Sequence, residues 1–172
     1  MESRDLLLAQ LEAQHGLVRA LLAECAGGTA AARAEDTAAE RAGITAAGNA
    51  EPEDAATAAG SAHGEVARLL DHLASCGREL LRLAGRGPDD ALDPWDAVEG
   101  LLRGLTEDDL DRGPVAPLEP GVPAAGTTLR TLLAGHVGHL AWHLGQAARI
   151  RRQAGLAPMP GWPLDSQRPL DA

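Results

Sequence analysis

At 172 residues the chain has the length of one domain, and its 45% apolar content suffices for a core of ordinary size. Phe and Tyr are absent, so Leu, Ala and Val must fill that core beside Trp95, Trp142 and Trp162; this composition favours helix over strand and predicts an all-α fold. A formal net charge of −10, with Arg as every basic residue, repels phosphate backbones and anionic membranes, which excludes nucleic acid and membrane surfaces as expected partners.

Residues 4–25 carry Leu7, Leu8, Leu11, Val18, Leu21, Leu22 and Cys25 at helical spacing, and Gly27-Gly28 is expected to stop that helix. Residues 28–62 are mostly Ala, Thr, Gly, Glu and Asp, with Ile44 as the one large aliphatic side chain. Such a segment buries little apolar surface against its ordering entropy, so it reads as a long, low-complexity connection whose Ala-rich parts (30–42, 52–59) have helical propensity. A second helix is predicted over 64–84, with Val66, Leu69, Leu70, Leu73, Cys76, Leu80 and Leu83 as its buried stripe and Gly85 and Gly87-Pro88 at its end.

Pro94 suits the first turn of a third helix reaching about Leu105, with Trp95, Val98, Leu101, Leu102 and Leu105 inward. Thr106-Glu107-Asp108-Asp109 has the pattern of a capped helical turn holding Leu110, and 113–126, rich in Pro and Gly, is loop. Thr127 or Thr128 caps a fourth helix that runs to about Ala154 and stops at Gly155; Pro158, Pro160 and Pro163 leave 156–172 as an extended tail. Four helices with these connections suit an antiparallel four-helix bundle in a single domain, 1–172.

The acidic Met1–Asp5 does not read as a signal peptide, no apolar run has membrane-spanning length, and Cys25 and Cys76 make no disulfide framework. A cytoplasmic protein is expected.

The fourth helix carries the chemistry: His136-Val-Gly-His139-Leu-Ala-Trp-His143-Leu-Gly-Gln146. At about 100° per residue, positions 139 and 143 lie about 40° apart and one turn along, so both imidazoles can reach one ion. Leu129, Leu133, His136, Leu140, His143, Ala147 and Ile150 form one stripe, with His139 beside it, so three histidines stand where the helix should face the core. A buried imidazole needs a hydrogen bond or a ligated ion, and a shared divalent metal satisfies several at once. His72, between Leu69 and Cys76 on the core side of the second helix, is the expected third ligand. Cys76 is either an alternative ligand or a small buried apolar residue. His15 either lines the same cavity or is half-exposed, and His63 reads as a surface residue. His136 and Gln146 are the candidate catalytic or ligand-orienting groups. Three protein ligands leave positions for water or a substrate atom, as in catalytic sites. Leu140 follows His139 where a zincin protease needs Glu, and no phosphate loop or dinucleotide fingerprint is present.

Three segments resemble the DinB family, also described as DinB/YfiT-like metalloenzymes. They are Leu69-Leu-Asp-His72-Leu-Ala, Leu105-Thr-Glu-Asp-Asp-Leu-Asp-Arg112, and His139-Leu-Ala-Trp-His143-Leu-Gly-Gln146 followed by Ile150-Arg-Arg and Gly155. The resemblance covers roughly residues 64–160. It implies an up-down-down-up four-helix bundle, often a homodimer, and zinc or nickel held by His72, His139 and His143. It also implies a reaction on small molecules, with transfer or addition of a low-molecular-weight thiol of the mycothiol or bacillithiol type as the first expectation. A metal-dependent hydrolase and a non-catalytic, stress-related metal-binding bundle are the alternatives. The chain departs from the family in its long connection at 28–62 and in a short interval between His72 and His139.

Overall fold

A computed structural model describes residues 3–42, 51–87, 93–117 and 126–159. The described residues are helical, without strand: α1 (Ser3–Ala42), α2 (Glu51–Leu83), α3 (Pro94–Gly104), α4 (Glu107–Leu110) and α5 (Leu129–Gln153). The all-α expectation holds, but two boundaries differ from it. Helix α1 does not stop at Gly27-Gly28, and α2 begins at Glu51 rather than near residue 64. Glycine ends a helix through a positive-φ cap, and among the described glycines only Gly85, Gly126 and Gly155 take positive φ. Within an Ala-rich run, two glycines cost about 1 kcal/mol each against alanine and leave the helix intact. Much of the presumed connection is therefore helix; residues 43–50, and the tail from 160, lie outside the described residues.

The chain divides into two compact units, Met1–Gly16 with Asp71–His143 and Leu17–Leu70 with Leu144–Ala172. In the first, Leu11, Leu73, Leu80, Leu81, Trp95, Val98, Leu102, Leu110, Leu133 and Leu140 are buried. Its ends are well terminated. Asp93 caps α3 by accepting from Trp95 N–H, and Pro94 occupies the first turn. Thr106 and Asp109 form a reciprocal capping box on α4, as the sequence predicts. Thr128, rather than Thr127, caps α5: its hydroxyl accepts from Thr131 N–H, while its own N–H donates to Thr131 Oγ1. Gly85 closes α2 at φ +80°, with Arg86 N–H donating to Leu81 O, and a Cβ at Gly85 would stand 2.7 Å from Val115 Cγ2. Val115 N–H donates to Leu83 O at 2.9 Å, which ties the following loop to that helix end.

In the second unit Val18, Leu21, Cys25, Val66, Leu70, Leu144, Ala147, Ala148 and Met159 are buried. The Arg151 guanidinium is buried with them, 2.7 Å from Glu24 Oε1 and donating to Ala157 O. His63, predicted at the surface, is half-buried, with Nε2 3.8 Å from Glu24 Oε1.

Candidate metal centre

Helix α2 carries His72 and α5 carries His139 and His143, all in the first unit. One turn of α5 separates the last two, and their Nε2 atoms are 2.8 Å apart. The His72 ring centroid lies 5.2 Å from that of His139 and 5.0 Å from that of His143. One ligating atom from each of the three residues lies within 4.8 Å of the others. Metal–nitrogen bonds of about 2.0–2.1 Å in a tetrahedral site place nitrogens roughly 3.3 Å apart. The imidazoles fit such an ion after adjustments of well under an ångström for the α5 pair. The donor set is neutral and purely nitrogenous, which suits a borderline ion such as zinc or nickel better than calcium or magnesium.

The three ligands differ in exposure. His143 is buried, His139 half-buried and His72 exposed. His72 was expected on the core side of its helix; its exposure instead puts one side of the cluster in reach of solvent. Burial lowers the His139 pKa, with the His143 and His72 charges adding to the effect, and this favours the neutral ring that a metal requires. Trp142, 61% exposed, lies beside the pair, its ring centroid 4.8 Å from His143 and 6.2 Å from His139 at 22° to the latter ring. Trp95 is buried elsewhere in this unit, so of the two described tryptophans a paramagnetic ion at the histidines should quench mainly Trp142. Titrating nickel(II) or cobalt(II) should lower tryptophan emission in the native chain, and Trp142→Phe should remove most of that decrease.

His136 is buried, and its Nε2 has no hydrogen-bond partner among the described residues. It is outside the three-ligand group. Burial, with smaller contributions from His15 and His139, lowers its pKa to about 4. A histidine whose folded pKa lies below its unfolded value of 6.5 takes up its proton more readily unfolded. Its presence therefore reduces stability progressively as pH falls from about 6.5 towards about 4, by up to about 3 kcal/mol. His136→Leu should retain metal, leave stability at pH 7 equal or higher, and flatten this acid-side slope; urea unfolding at pH 7 and pH 5 reads all of it but the metal content.

A cavity of about 490 Å³ adjoins the centre, lined in part by His72, Cys76, Leu80, Leu132, His136 and His139. Cys76 Sγ is 3.7 Å from His72 Nε2, and burial raises its thiol pKa. Cys76 is half-buried on the cavity wall, neither a core apolar residue nor a member of the three-ligand group. Gln146 is half-buried and belongs neither to the lining nor to the ligand group.

His15 does not line the cavity. It is fully buried, with Nδ1 2.8 Å from Glu99 Oε1 and its ring edge-on to Trp95 at 5.2 Å. Glu99 is buried as well, and its other oxygen accepts from Arg103. The Glu99 role escaped the sequence reading, although the spacing Trp95, Glu99, Leu102 puts that carboxylate on the inward stripe of α3. Comparison with family profiles, curated proteins and solved structures finds no match to this chain.

Proposed function

We propose that the chain is a DinB-like protein that holds one divalent metal ion, zinc or nickel, through His72, His139 and His143, and acts on a small organic molecule in the adjoining cavity. The observation that carries this reading is the approach of three imidazoles from two helices to within 4.8 Å of one another. The reading also assigns α1, α2, α3 and α5 to an up-down-down-up four-helix bundle and expects a homodimer and a cytoplasmic location; no helix of the described residues is long and apolar enough to cross a membrane.

A bound ion would supply Lewis acidity, stabilising a thiolate or hydroxide at neutral pH. The chain's own residues favour the thiol over water. Hydrolysis needs a positioned base, and the ligand group contains no carboxylate. Glu79, on the cavity wall, is engaged by Arg82, whose hydrogen bond lowers the Glu79 pKa and weakens it as a base. A thiolate carries no further proton into its attack, whereas a hydroxide does and would still need that base, so transfer or addition of a low-molecular-weight thiol is the preferred reaction. The test is loss of free mycothiol or bacillithiol on adding an electrophile to metal-loaded protein. Loss above the uncatalysed rate that disappears in His143→Ala is expected; equal loss with and without protein would leave a non-catalytic metal-binding bundle as the reading.

A further inference from the structure

The cavity beside the histidines has a character of its own. Leu80, Leu83 and Leu132 give it apolar wall, and among the described residues no Lys or Arg lines it. Its other polar groups are largely committed: the Ser75 hydroxyl donates to Asp71 O, and the Glu79 carboxylate accepts from Arg82. His136 is the exception. It is 6% exposed, lines the cavity, and its Nε2 has no hydrogen-bond partner among the described residues. That nitrogen is itself sealed from solvent, so His136 meets the cavity through its other atoms. The ion of the metal reading would hold one electron-rich head; beyond it no cationic side chain of the described lining holds a phosphorylated or multiply anionic body, and leucine walls disfavour a sugar.

Resting on the metal reading above, we infer that the cavity binds a small molecule with an uncharged alkyl or aryl body. Its electron-rich head faces the His72–His139 end, and the leucines cover its body. The substrate is thus a hydrophobic organic molecule rather than a sugar or a phosphate ester. If the reaction is thiol transfer, this cavity takes the electrophile, and the polar portion of a large thiol stays outside it.

The test uses the full chain loaded with cobalt(II), whose visible absorption reports ligands at the ion without any assay of turnover. The probes are acetohydroxamate and octanohydroxamate, which share a metal-binding head and differ in alkyl length. Octanohydroxamate should bind at least about tenfold more tightly, since each buried methylene contributes to affinity. Leu132→Gln should reduce that ratio to below about threefold with cobalt still bound, because Leu132 is half-buried and a polar side chain of similar length fits there. Equal binding of the two alkyl hydroxamates by the native chain would overturn the inference while leaving the metal reading intact. An unchanged ratio in folded Leu132→Gln would overturn the assigned contact in the same way. Failure of the native chain to bind cobalt at all would remove both readings.

Discussion

His143→Ala is expected to lower metal affinity by more than about 100-fold, so that dialysed protein retains only background metal. The reason is geometric. His139 and His143 project from one helix one turn apart, and their Nε2 atoms are already 2.8 Å from each other. Removing His143 leaves two imidazoles on two helices, a set too small to hold a divalent ion against water. The fold should survive, since a single buried imidazole is replaced within a helix of high intrinsic propensity, at a cost of about 1–2 kcal/mol. Metal content after dialysis and the melting temperature separate the two effects. His136→Leu is the matched control: same helix, comparable burial, but outside the ligand group. Metal retained in His143→Ala and lost in His136→Leu would reverse the ligand assignment.

Glu99→Ala should produce the largest loss of stability, about 3–5 kcal/mol, with the histidine cluster untouched. Both members of the His15–Glu99 pair are buried, and the 2.8 Å contact from Nδ1 to the carboxylate pairs them there. Truncating Glu99 strands the imidazole in an apolar setting beside Trp95 and also takes an acceptor from Arg103. The double variant His15→Leu/Glu99→Met replaces both partners with apolar groups and should recover much of the loss. Urea unfolding of the two variants checks this; equal destabilisation of single and double variants would mean that packing volume, and not the polar pair, dominates here.

The helical class and the α3–α4 caps were legible because local rules decide them: Asp93-Pro94 and Thr106…Asp109 satisfy backbone donors within a few residues of sequence. Gly27-Gly28 misled because a glycine pair signals a helix end only where the chain takes positive φ, and its Ala-rich surroundings keep it helical. The histidine cluster was readable from one helix, since the spacing of His139 and His143 fixes their common face, and His72, expected as a third ligand, does lie beside them. Its exposure was not readable, because the solvent access of a side chain depends on which neighbours cover it. For the same reason His15 could not be separated from the site until Glu99, 84 residues away, was seen against it. The cavity, too, arises from packing between α2 and α5 and has no signature in either segment alone.

X-ray absorption at the edge of a zinc or nickel ion bound to the purified chain tests the central claim most directly. One ion per chain is predicted, with the multiple-scattering pattern of three imidazoles and metal–nitrogen distances of about 2.0–2.1 Å. A chain that binds no ion, or an ion whose spectrum fits one imidazole or none, would contradict the assignment of His72, His139 and His143 as a metal centre.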